Sequence, residues 1–323
     1  MKQELPVGTS DSGVDYFDSA SDALTEGGTI PFLGTGLYAD GLLSDSALIR
    51  ALNGDSDSIR GSNSQEAKDR VCLATVAEYW ERYLKERQRF LAKLRAAIQM
   101  QTDQLPALPP FYQLLLKIKP PALIVSATCD LVLERALESQ GKPYVLVCHV
   151  VRSRNKELDG KILVFRGQKP EFCVADKIET KGYDYVIYKP LGSPLLHGLV
   201  DPDLEIDTVV MTETDHLILL GRLEHELTQI PTAFSRLLQR RSLLFAGYSL
   251  DVWQYRLVMQ VFELLRAQGG RPTSMAVREP TTTMEELAWT RLGTDLIRRR
   301  PDEFANRVLN NIAQVPKVSA HGD

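Results

Sequence analysis

Cysteine is scarce in this 323-residue chain: Cys72, Cys129, Cys148 and Cys173 stand far apart, and no two form a C-x-x-C pair. That spacing argues against a disulfide framework or a structural zinc site and reads as a chain for a reducing cytoplasm. No run approaches the ~20 consecutive apolar residues that cross a bilayer. The opening segment is polar and acidic, without the basic-then-apolar order of a secretory leader. The expectation is a soluble, cytoplasmic protein with no membrane partner. Neither sign of charge dominates, with 38 Lys and Arg against 42 Asp and Glu mixed along the chain. A broad basic surface for nucleic acid is therefore unsupported. The clusters Arg240–Arg241 and Arg298–Arg299–Arg300 are short and border apolar runs. They read as solvated ends of elements first, and as anion or partner contacts second.

What is present is ordinary globular composition, 44% hydrophobic and 25% charged. Residues 1–20 are rich in Ser, Asp and Gly without periodicity and read as a flexible tail. Residues 21–323 read as the folded domain, with a helical insertion at about 65–118. Within the insertion Leu73, Ala77, Trp80, Leu84, Leu91, Leu94 and Ile98 recur at helical spacing until Pro106, Pro109 and Pro110 stop them. Residues 55–64 read as a polar loop. Short apolar runs ending in small residues read as strands: 28–33, 122–126, 144–151, 161–165, 185–188, 209–211, 242–245, 274–277 and 294–297. Helices are expected between several of them, including Leu131–Ser139 and Asp302–Ile312. Strands alternating with helices predict an α/β, Rossmann-like, mostly parallel sheet with helices on both faces. In such sheets ligands bind beyond the C-terminal strand ends.

Four such ends carry small or polar residues: Gly34-Thr35-Gly36, Thr128-Cys129-Asp130, Leu191-Gly192-Ser193 and Gly247-Tyr248-Ser249. Gly34-Thr35-Gly36 can bring backbone N–H groups to a phosphate, or can simply be a tight turn; it lacks the third glycine of a dinucleotide fingerprint. The Gly247 turn carries the same two readings. Asp130 can equally be a helix cap.

Taken in order, these segments resemble the sirtuin-like superfamily, in particular its zinc-free branch common in bacterial anti-phage systems. The resemblance runs from about Ser21 to Ala313. Pro31–Gly36 is similar to the family's apolar strand and G-A-G, and Ala77–Leu94 to the helical insert that follows. Ile124–Asp130 with Leu133–Leu137 resembles I-V-T-T-N-Y-D and L-E-R-A-L. Ile187–Ser193 resembles Y-K-L-H-G-S, Val210–Asp215 a T-x-x-D segment, and Leu244–Asp251 F-x-G-Y-S-L-D.

The resemblance implies NAD or a related adenine nucleotide as ligand, no zinc, and Gly34, Thr35, Gly36, Thr128, Asp130, Gly192, Ser193, Gly247, Tyr248, Ser249 and Glu279 as the binding positions. It also implies a protein partner or homo-oligomer, with the insertion as contact surface, and a setting in anti-phage defence. The chain departs from the family at two places. Thr128 stands where the family has the asparagine that orients the nicotinamide ribose and a water, and Leu191 where it has the general-base histidine. Leucine cannot carry a proton, and general acid–base catalysis is worth about 10²–10⁴-fold. Threonine lacks an amide's paired donor and acceptor.

Three readings follow: a catalytically degenerate nucleotide-binding domain acting as sensor, regulator or scaffold; an active NAD glycohydrolase with a relocated base, His197 being the substitute; or a structural subunit with an empty pocket. His149 reads as a core histidine, Cys129 as an inert buried thiol, and His216 with His225 as no metal pair.

Overall fold

The computed structural model describes residues 16–38, 41–53, 72–119, 122–158, 160–166, 170–179, 181–198, 206–225, 230–267, 272–279 and 282–314. The expected loop at 55–64, the start of the insertion at 65–71 and the first fifteen residues lie outside that set.

Eleven strands are described: β1 (Thr29–Leu33), β2 (Ala122–Ser126), β3 (Tyr144–His149), β4 (Arg152–Ser153), β5 (Ile162–Phe165), β6 (Pro170–Cys173), β7 (Tyr185–Lys189), β8 (Ile206–Asp207), β9 (Ser242–Ala246), β10 (Ser274–Val277) and β11 (Thr294–Ile297). Nine form one sheet in the order β11-β10-β9-β1-β2-β7-β3-β5-β6. The strands from β11 to β3 pair in parallel, and β5 and β6 close one edge antiparallel. The doubly covered, mostly parallel α/β sheet read from the sequence is therefore present.

Strand alternation sorts the apolar side chains into two cores. Leu33, Ile124, Leu146, Ile187, Leu244 and Val277 face one, and Phe32, Val125, Val147, Tyr188, Phe245 and Ala276 face the other. A period of two places neighbours on opposite faces, so a sheet with both faces apolar must be covered on both.

The first face is covered by α1 (Tyr16–Thr25), α2 (Asp45–Asn53), α3 (Leu73–Leu84), α4 (Arg87–Asp103), α5 (Pro110–Leu115), α6 (Val132–Ser139) and α11 (Pro301–Gln314). The second is covered by α7 (Glu213–His225), α8 (Thr232–Arg240), α9 (Trp253–Ala267) and α10 (Thr283–Arg291). No helix among the described residues is long and apolar enough to cross a membrane.

Three sequence readings are corrected. Residues 16–20, read with the tail, belong to the fold: α1 starts at Tyr16, with Phe17 and Ala20 buried and the Phe17 ring edge-on to Phe304 at 5.2 Å. The helical run from Leu73 to Ile98 is broken into α3 and α4, because Lys85 adopts a left-handed φ of 54° and donates its N–H to the Arg82 carbonyl. No glycine or asparagine marks that break, so side-chain periodicity runs straight across it. Residues 209–211 are not a strand; the short strand is β8, just before them, against β4.

Candidate functional site

β1 sits between β2 and β9, where the chain's connections diverge to opposite halves of the sheet. The loops beyond the C-terminal ends of these strands meet at this switch point, the usual ligand position of such folds.

On the β2–β7 side, three successive carbonyls are held from β7 and the loop after it. Lys189 Nζ donates to the Thr128 carbonyl at 3.0 Å and to the Asp130 carbonyl at 2.7 Å, and Ser193 Oγ donates to the Cys129 carbonyl at 2.5 Å. Lys189 is buried beside Glu134 at 3.3 Å. Burial works against its ammonium, but Glu134 and Asp130 outweigh it and hold the Lys189 pKa above the ordinary range. The Thr128 hydroxyl lies 3.0 Å from Ser126 Oγ, and both are buried. Asp130 Oδ1 accepts the Val132 N–H at 2.9 Å, so the capping reading of Asp130 describes its geometry. Tyr38 and Tyr112 crowd the same carboxylate; burial, then its charge, push both phenols well above their usual range.

Gly192 is held at φ 65°, where a Cβ would fall on the Thr208 carbonyl. On the β1–β9 side the two glycine turns pack backbone to backbone. Gly34 N–H donates to the Ala246 carbonyl and Gly36 N–H to the Gly247 carbonyl, both at 2.9 Å. A Cβ at Gly36 would sit 2.8 Å from the Gly247 oxygen. The expectation that Gly34 and Gly36 offer free N–H groups to a phosphate is thus corrected, since both donors are spent inside the protein. The charged group beside this junction is Arg278, just past β10. Its Nη2 donates to Ser249 Oγ at 3.1 Å and its Nε pairs with Glu285 at 2.6 Å. Tyr248 is buried with its hydroxyl donating to the Tyr255 carbonyl at 2.9 Å, and Glu279 is exposed past the end of β10.

Between these loops lies a cleft of about 450 Å³, its open mouth included. Thr35, Ala127, Cys129 and Leu191 come from the strand ends, joined by Asp45 of α2, His216 of α7, and Gln254 and Tyr255 of α9. Of the positions read from the sequence, Thr35 and Leu191 line it, whereas Thr128, Asp130 and Ser193 form its buried support. Asp45 accepts the Tyr255 hydroxyl at 3.0 and 3.1 Å, and burial raises its pKa despite that bond. Cys129 is inert: burial and the Asp130 charge push its thiol up to about 12.

His197 sits in the 3-10 turn Pro194–Gly198, and its side chain lies outside the described set, as does that of His225. His149 is buried in β3, 2.6 Å from the Tyr188 hydroxyl.

The T-x-x-D segment is a helix cap of reciprocal form: Asp215 N–H donates to Thr212 Oγ1, and Thr212 N–H to Asp215 Oδ2, each at 3.0 Å. Asp215 also accepts from Arg87 at 2.9 Å and Arg152 at 2.7 Å, and Arg87 reaches Asp207 at 2.7 Å. This network ties the inserted α4 to the segment between β8 and α7.

Asp45 and Gln254 escaped the sequence reading, and His216 was read there only as no metal pair, because they come from helices distant in sequence. None belongs to a strand-end turn. Among the described residues no three His, Cys, Asp or Glu side chains gather as a metal site.

A parallel sheet with its cleft at the switch point defines a nucleotide-type α/β domain. The family model for the SIR2-like domain matches residues 122–297, more than half of the chain, and the chain belongs to that family. No curated protein sequence matches it.

Proposed function

We propose that the cleft binds NAD or an ADP-ribose-type nucleotide and that the domain works as a sensor, regulator or scaffold without the family's proton-transfer pair. The observation that carries this reading is Leu191: it lines the cleft where the family's pattern places its histidine. Thr128, at the asparagine position, is 1% exposed and turned to Ser126 beneath the cleft. Arg278, beside Gly36 and Ser249, is the cation we assign to the phosphates in place of free glycine N–H groups.

A protein partner or a second copy fits the insertion, where the exposed rings of Tyr79 and Tyr83 stack 5.9 Å apart on α3. The anti-phage setting rests on the family resemblance.

The test is calorimetry with NAD and ADP-ribose, with nicotinamide release followed on the same sample. Binding without release is expected. The double variant Thr128→Asn/Leu191→His is expected to gain release by at least about 10²-fold, the scale of a positioned acid–base group. Rapid release by the wild-type protein would overturn the degenerate reading.

A further inference from the structure

Two residues lining the cleft carry a buried polar atom with no hydrogen-bond partner among the described residues, His216 Nε2 and Gln254 Oε1. His216 is 5% exposed and Gln254 1% exposed, so neither is a surface group that bulk water routinely serves.

The tautomer of His216 follows from its other nitrogen. Nδ1 lies 2.8 Å from the Thr212 carbonyl oxygen. A carbonyl only accepts, so Nδ1 carries the proton and Nε2 of the neutral ring is a bare lone pair. The side of Gln254 is decided in the same way. Its Nε2 donates to Cys72 Sγ at 3.0 Å, which leaves Oε1 as the free acceptor of a cleft-lining side chain. A third acceptor, the Asp45 carboxylate, lies in the same cleft and is occupied by Tyr255. Among the described residues none of the cleft-lining side chains is a lysine or arginine.

A buried acceptor left unpaired costs about 1–3 kcal/mol, so two of them on residues lining one cleft favour a ligand that arrives with donors. Leu191, Val210 and Met211 line the same cleft and offer nothing polar from their side chains.

We propose that His216 and Gln254 form a recognition subsite for a neutral group presenting two O–H or N–H donors. It rests on the nucleotide reading above, and it assigns the donor-bearing end of the ligand to α7 and α9 and the phosphates to the Arg278 side. Two parts of such a nucleotide carry the required donors: the hydroxyls of the distal ribose and the primary carboxamide of nicotinamide.

The experiment is calorimetry on the full chain with ADP, ADP-ribose and NAD, for the wild type, His216→Asn and Gln254→Leu. Asparagine keeps an amide donor for the Thr212 carbonyl and deletes the Nε2 acceptor, so it tests the lone pair with the helix start retained. Circular dichroism and a thermal melt confirm folding of each variant. A wild-type preference of about tenfold for ADP-ribose over ADP, lost in both variants, is the result expected for ribosyl hydroxyls. A preference of about tenfold for NAD over ADP-ribose, with ADP-ribose and ADP bound alike, and lost in both variants, assigns the donors to the carboxamide. Nucleotide binding unchanged in both folded variants overturns the subsite and leaves the nucleotide reading standing. Absence of binding by the wild type to all three overturns both.

Discussion

The ammonium of Lys189 lies 2.7 Å from the carbonyl oxygen of Asp130, and that contact joins the two family segments that frame the cleft. With Thr128 on one side and Glu134 on the other, Lys189 is the buried charge around which the β2 and β7 ends are built.

Lys189→Met is therefore expected to cost about 3–5 kcal/mol, because it strands Glu134 in the core and releases two carbonyls. Adding Glu134→Gln should return part of that loss. Urea unfolding of the single and double variants measures both, and equal stability of the single variant and wild type would show the pair to be dispensable.

Gly192→Ala should destabilise more than Gly141→Ala, although both residues have positive φ, 65° and 63°. At Gly141 nothing lies within 4 Å of a new Cβ, so only the left-handed backbone is penalised, by about 1–2 kcal/mol. At Gly192 the new atom meets the Thr208 carbonyl and the loop must move as well. Thermal melts of the two variants rank them.

His149 makes stability depend on pH. Burial, then the nearby Arg222 charge, hold its pKa down from 6.5 to about 4. A group with a lowered folded pKa binds its proton more weakly when folded, so its contribution is complete above 6.5. It is lost as pH falls through about 4. At about 1.4 kcal/mol per pH unit the gap corresponds to about 3 kcal/mol. Urea midpoints at pH 7 and pH 4 should fall less in His149→Phe than in the wild type; equal falls would show that other groups carry the acid sensitivity.

Alkylation should distinguish the thiols. Cys129 and Cys148 are buried, with burial pushing each thiol up to about 12, while Cys72 and Cys173 are half-buried. Iodoacetamide on the native protein at pH 8 is expected to label Cys72 and Cys173 first, read by peptide mass spectrometry. Early labelling of Cys129 would show that the cleft exposes its thiol.

Much of the sheet was legible because a strand buried on both faces must be apolar throughout, as at 122–126, 144–149 and 242–246. The edge strand β6 was not, since Pro170–Cys173 is partly exposed and carries no such run. The cap at Asp130 and the inert thiol of Cys129 were legible from local chemistry. The break at Lys85 was hidden because a lysine rarely adopts that φ and does so here within a tertiary packing of two helices.

By itself the sequence determined the doubly covered α/β sheet, and it places a threonine at 128 and a leucine at 191 at the ends of two of its strands. These are properties of residue type and near-neighbour spacing. Tertiary structure alone decided which residues face the cleft. Gly34 and Gly36 spend their N–H groups on the β9 turn, and Ser193 and Asp130 hold loops from below. Asp45, His216 and Gln254 arrive from α2, α7 and α9. The physical reason is that a hydrogen-bonding group turns toward whatever partner the packed chain brings to it, and those partners lie tens to hundreds of residues away.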